Sequence, residues 1–136
     1  MTVPICPYCG EQSKLVTGAD IYRNRLDLAN LKFWQCKPCD AYVGCHKRGK
    51  GTEPLGRLAD ASLRMWKGNA HTVFDPFWNG YKYVERRRVA RIAAYARLAQ
   101  DLNINPSDCH IGMFNIDMCK RVIKVCAQWR AQNINF

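Results

Sequence analysis

Apolar residues follow two regimes along the chain. Over roughly the first 53 residues they fall in short β-prone runs at 14–17, 20–22, 32–35 and 41–44, with Thr17-Gly18-Ala19-Asp20 suited to a turn. None of these runs buries much alone. From residue 54 the spacing changes to three- and four-residue steps, which predicts helices over 54 to about 70 and over 81 to about 102. Val89, Ile92, Ala93, Ala96 and Ala99 make one stripe on the second of these, and Asn103-Ile104-Asn105-Pro106 ends it. A last helix is expected to start after Asn115 as N-cap, with Asp117 favourable to the dipole in its first turn. Its buried stripe would be Cys119, Val122, Ile123 and Cys126, with Trp129 nearby.

The switch in period suggests two modules, 1–53 and 54–136, joined at the glycine-rich basic segment from Lys47 to Pro54. A chain of 136 residues suits one ordinary domain, or a small metal-stapled module beside a modest helical one. A hydrophobic content of 48% against 24% charged residues is that of a folded protein rather than a disordered one. No stretch approaches the roughly 18 apolar residues of a membrane span. The N-terminus also lacks the basic and apolar regions of a signal peptide. The expectation is a cytoplasmic protein without a membrane partner, in which eight cysteines serve metal binding or burial rather than a disulfide framework.

Cys6-Pro7-Tyr8-Cys9 and Cys36-Lys37-Pro38-Cys39, with 26 residues between them, are two hooks suited to four thiolates on one tetrahedral Zn²⁺. The residue after each hook often needs a positive φ. Gly10 meets that need freely, and Asp40 tolerates it better than most residues. Redox-active pairs or unrelated core cysteines are the alternative, but a doubled hook flanking strand-like segments favours metal. Four sulfur ligands leave no open position for substrate, so the zinc would be structural. The fold class expected is therefore α+β: an N-terminal zinc ribbon of short antiparallel strands packed on a small C-terminal helical module.

Cys119 and Cys126 read as small core hydrophobes. Cys45-His46 and Cys109-His110 belong to no clear helical stripe. With His71 and Asp75, four residues apart, His46 and His110 could form a second metal or catalytic cluster in which a divalent ion activates water. Ordinary hydrogen-bonded histidines are the alternative. The chain lacks the His-Glu-x-x-His of metalloproteases and the His-x-Glu with Pro-Cys-x-x-Cys of zinc deaminases, so the expectation leans away from an enzyme.

The 21 basic residues outnumber 11 acidic ones, for a formal charge of +10. Most of that excess falls between residues 44 and 100, interleaved with Trp66, Phe74, Phe77, Trp78, Tyr81 and Tyr83. Such a field favours polyanions, and exposed rings could stack on unpaired bases, although most of these rings also suit the core of a small domain. At 100° per residue Arg87 and Arg91 stand about 40° apart, on the side opposite the Val89/Ala93/Ala96 stripe. They are the phosphate-contact candidates on the helix, and Lys47, Arg48 and Lys50 are those of the connecting loop. Arg88, near the Tyr95 side, could be buried against an acid.

The segments CPYCG (6–10), FWQCKPCDAYVGCH (33–46), PLGRLADASLR (54–64), AHTVFDPFW (70–78), AYARLAQDL (94–102) and CHIGMF (109–114) together span nearly the whole chain. On these the sequence resembles a phage- and prophage-associated family of zinc-finger-containing proteins of unknown function. The resemblance implies zinc at Cys6, Cys9, Cys36 and Cys39 and a phage or mobile-element setting, which would place the protein in a host-cell cytoplasm. It implies no activity. The function expected first is a small accessory protein that binds DNA or RNA through its positive band. The alternatives are a protein-binding module acting on host transcription, replication or defence machinery, and a metal-dependent nuclease using the His/Asp cluster.

Overall fold

The computed structural model describes residues 3–47 and 51–136. The chain forms two compact units, Met1–Ser62 and Leu63–Phe136. The division follows Ser62, later than the glycine-rich segment that suggested it.

In the N-terminal unit, strands β1 (Lys14–Thr17), β2 (Lys32–Cys36) and β3 (Ala41–Gly44) form an antiparallel sheet in that order. The register sets Leu15 against Trp34, Trp34 against Val43, and Cys36 against Ala41. Alternation along β2 then gives each face its own content. Trp34 and Cys36 join Cys6, Ala41, Val43 and Leu58 in one core cluster. Phe33 meets Tyr22 and Tyr42 edge-on, with ring centroids about 6 Å apart, and the two tyrosine hydroxyls lie 3.1 Å apart. The Trp34 indole N–H donates to the Thr52 carbonyl at 2.7 Å, which satisfies its polar atom.

Two local expectations change here. The run 20–22 is not a strand, because Gly18–Ile21 closes as a single helical turn, α1, in which the Asp20 carboxylate accepts from both the Thr17 amide and its hydroxyl. Side-chain capping outweighs the β propensity of Ile21 and Tyr22. The helix expected from Pro54 also starts later. Pro54 and Ala59 instead bridge Cys45 and Tyr42, which runs this segment beside β3 and buries Leu58 and Ala59. Pairing with the sheet satisfies backbone groups that the sequence pattern assigned to a helix.

Gly18 is required by close approach. A Cβ built there would lie 1.7 Å from the Leu28 carbonyl oxygen, while the Gly18 amide donates to the Leu31 carbonyl at 2.7 Å. Gly18→Ala is therefore expected to destabilise the N-terminal unit by about 1–3 kcal/mol or more, the usual cost of forcing added volume into a packed site. Amide exchange of the three strands would show it, and protection equal to wild type would refute it.

The C-terminal unit holds most of α2 (Ala61–Phe74), then α3 (Pro76–Asn79), α4 (Val84–Leu102) and α5 (Ile116–Ala131). The helix ends follow their caps. Asn103 stops α4 in the left-handed region at φ 56°, and the Asn115 side chain accepts from the Met118 amide at 2.9 Å to start α5. Cys119, Val122, Cys126 and Trp129 of α5 are buried as expected, whereas Ile123 of the same expected stripe is only half-buried. Phe74 packs against Tyr95 and Trp129, and the Trp129 indole donates to Asp101 at 2.7 Å.

On α4 the expected buried stripe is rotated. Ala90, Ala94, Leu98, Ala99 and Leu102 are buried, whereas Val89 and Ile92 are 58% and 64% exposed and Ala93 and Ala96 are exposed too. Alanine is the reason. The helix carries apolar residues on two overlapping faces, and the smaller face, Ala90 and Ala94, allows the neighbouring elements to approach closely. Only Ala99 belongs to both.

Candidate metal centre

The first hook is built by a small turn. The Cys6 amide donates to the Glu11 carbonyl, the Gly10 amide returns to the Cys6 carbonyl at 2.9 Å, and Ile5 bridges Gln12. The second hook is the loop of the β2–β3 hairpin, in which the Asp40 amide donates to the Lys37 carbonyl at 3.1 Å. Gly10 at φ 78° and Asp40 at φ 50° occupy the left-handed region, where the hook geometry requires it. The Tyr8 hydroxyl accepts from the Asp60 amide at 3.1 Å and ties the first hook to the segment before α2.

These turns bring the sulfurs of Cys6, Cys9, Cys36 and Cys39 within 4.8 Å of one another. Cys9 Sγ and Cys36 Sγ are 3.7 Å apart. A tetrahedron with Zn–S bonds of about 2.3 Å has S···S edges of about 3.8 Å, whereas a disulfide would need about 2 Å. The donor set therefore fits one structural Zn²⁺ held by four thiolates, with every coordination position filled.

The four thiols share a small volume and perturb one another. Burial and the neighbouring thiols of Cys9, Cys36 and Cys6 push the Cys39 thiol up to about 12. Burial also acts to raise Cys6, but the N–H groups of Tyr8 and Cys9 aimed at its sulfur outweigh that and hold it below the ordinary value. Zinc supplies the positive charge that such a set otherwise lacks.

The chain matches the family described as a zinc-finger-containing domain over residues 2–129. It belongs to that family. No curated protein and no solved structure matches the chain. The zinc-finger-containing domain thus spans both units, and its zinc hooks occupy only the first.

The remaining cysteines are packing residues. Cys109, Cys119 and Cys126 are buried, and desolvation pushes the Cys109 and Cys126 thiols up to about 11 and 12, well away from a reactive thiolate. Cys45 packs on the edge of the core cluster that contains Cys6 and Cys36.

The other site candidates are placed as follows. His46 and Lys47 are exposed in the N-terminal unit, and Arg48 and Lys50 lie outside the described residues. His71 Nδ1 is 3.2 Å from Asp75 Oδ2 in the C-terminal unit, and the Trp78 indole donates to Asp75 Oδ1 at 3.1 Å. The His110 ring is 6.5 Å from that of Tyr95. Among the described residues the four-cysteine set is the only group of three or more ligand side chains that could hold a metal, so His71 and Asp75 stand as a pair.

Arg87 donates to the Tyr81 and Lys82 carbonyls at 2.8 and 3.0 Å and closes the turn before α4. Arg91 lies over two rings, 4.9 Å from the Tyr95 centroid and 5.5 Å from that of Trp78. Arg88 is exposed, not buried against an acid. The ring platform under Arg91 was not foreseen. Its one sequence signal is the four-residue step from Arg91 to Tyr95, which stacks side chains on a helix face.

Proposed function

We propose that this zinc-finger-containing protein binds nucleic acid through the helical unit, while the zinc holds the N-terminal unit folded. The distribution of charge carries the reading. Residues 63–136 hold twelve basic against five acidic side chains, a balance of +7, and residues 1–62 hold nine against six, a balance of +3. Four thiolates and one Zn²⁺ remove two charges from the latter and leave about +1. The excess therefore concentrates on the helices. Arg91, Lys120 and Lys124 are exposed, and among the described residues none of them forms an ion pair. Unneutralised cations on a compact unit favour a polyanion by counterion release.

The resemblance to phage-associated proteins supports a phage accessory role in a host-cell cytoplasm. No helix among the described residues is long and apolar enough to cross a membrane. Retention of labelled DNA or RNA by the zinc-loaded protein at low salt tests the reading, and failure to retain either would end it.

A second reading has its own observation. Val89, Ile92, Ala93 and Ala96 are exposed on one side of α4, and a contiguous apolar helix face suits a protein partner, such as a component of host transcription, replication or defence machinery. Specific capture of one host protein by a nuclease-treated sample, abolished by Ile92→Asp, would favour it over the first.

A further inference from the structure

Two arginines of α4 lie over rings. Arg86, over Tyr81 at 4.1 Å, also donates to a Phe136 oxygen at 2.8 Å, whereas Arg91 lies over two rings with no oxygen partner among the described residues. Its guanidinium lies over the faces of Trp78 and Tyr95, at 5.5 and 4.9 Å, and among the described residues no carboxylate pairs with it. The platform beneath it is fixed in turn. Trp78 is anchored by its indole N–H to Asp75 at 3.1 Å, and Tyr95 by its ring against Phe74 at 4.6 Å. Asp75 is already engaged by Trp78 and by His71. The charge of Arg91 is thus exposed and rests on rings alone, which leaves its N–H donors open to an anion.

We infer that Arg91, with Trp78, Tyr95 and His110 around it, is a contact point for single-stranded nucleic acid, a phosphate taking the guanidinium and an adjacent unpaired base stacking on the aromatic surface. This deepens the nucleic-acid reading and rests on it. The chemistry favours single strands for two reasons. A duplex hides its base faces, whereas an unpaired base exposes a ring that stacks on aromatic side chains and on arginine planes. An arginine already held over two rings also loses little side-chain freedom when a phosphate arrives, unlike a free surface lysine. His110, exposed and 6.5 Å from Tyr95 between ring centroids, extends the same aromatic surface.

The test uses the full zinc-loaded chain, a labelled oligothymidylate, the matching oligouridylate and a duplex of equal length. The single strands are expected to bind more tightly than the duplex, and Arg91→Gln is expected to weaken them about tenfold, with the slope of log affinity against log salt shallower by about 0.7, one phosphate contact. Arg91→Lys keeps the charge but not the planar stacking, and should recover only part of the loss. Arg88→Gln makes the same charge change on the exposed side of α4 and serves as the control, with less than a threefold effect expected.

Equal losses from Arg91→Gln and Arg88→Gln would overturn the inference in favour of a diffuse basic band, and so would duplex binding as tight as single-strand binding. Failure of the wild-type protein to bind any of the three probes would instead remove the reading beneath it. Should Arg91→Gln not fold, tryptophan fluorescence of the wild type decides. Oligothymidylate should quench it, and Trp78→Phe should abolish most of that quenching; quenching unchanged in Trp78→Phe would also overturn the inference.

Discussion

Removing the zinc is expected to unfold the N-terminal unit while leaving the helical unit largely formed. The sheet of β1, β2 and β3 is short, and its core cluster of Cys6, Trp34, Cys36, Ala41, Val43 and Leu58 includes two of the metal ligands. Loss of the metal leaves two thiols inside that cluster and frees both hooks. Structural zinc contributes an apparent 10–16 kcal/mol or about that in zinc-finger peptides, comparable with or above the roughly 5–15 kcal/mol stability of an entire domain. A strong chelator, or Cys36→Ser, should therefore abolish amide-exchange protection in the three strands and expose Trp34 to solvent. Protection should persist in α4 and α5, whose buried Ala90, Ala94, Leu98, Val122, Cys126 and Trp129 involve no metal ligand. Retained protection of the strands after complete metal removal would refute the structural role.

The same site sets a pH dependence. The zinc-bound state holds four thiolates, whereas an unfolded chain below about pH 9, the ordinary thiol value of 9.0, holds four thiols. Unfolding therefore takes up protons, and the zinc-loaded stability falls as pH falls. The elevated Cys39 thiol acts in the same direction on metal affinity, because zinc must displace a proton held more tightly than usual.

The second large effect is the salt dependence of nucleic-acid binding. If about five of the exposed cations of the helical unit reach phosphates, the slope of log affinity against log salt is about −3.5 for a single strand. Affinity should then drop about a hundredfold between 50 and 200 mM salt. Equilibrium anisotropy over that range checks it. A slope near zero would exclude phosphate contact as the basis of binding, whatever the affinity at one salt concentration.

The zinc ligands and the two helix ends marked by Asn103 and Asn115 were legible in the sequence because each depends on residues close together. Cys6, Cys9, Cys36 and Cys39 announce a tetrahedron by spacing, Gly10 and Asp40 announce the hook turns, and Asn103 and Asn115 mark helix boundaries through local geometry. What the sequence hid depended on which of two adequate faces a partner element chose. On α4 the faces of Val89/Ile92 and of Ala90/Ala94 are both apolar, and periodicity alone gives no preference when alanine counts as hydrophobic. That rotation also decides what the arginines touch, with Arg87 on carbonyls and Arg91 on Trp78 and Tyr95. The segment from Pro54 to Ala59 was obscured for a related reason. Its pairing to Tyr42 and Cys45 is a long-range contact that no local pattern records.

Cobalt substitution tests the four-sulfur centre most directly, since the visible spectrum of Co²⁺ reports both ligand type and geometry where Zn²⁺ is silent. One equivalent of Co²⁺ per chain should give the intense d–d bands of a tetrahedral thiolate site together with thiolate-to-metal charge transfer, and one equivalent of Zn²⁺ should bleach both. A weak octahedral spectrum, or an intense one that survives unchanged in Cys9→Ser, would contradict a closed site of Cys6, Cys9, Cys36 and Cys39.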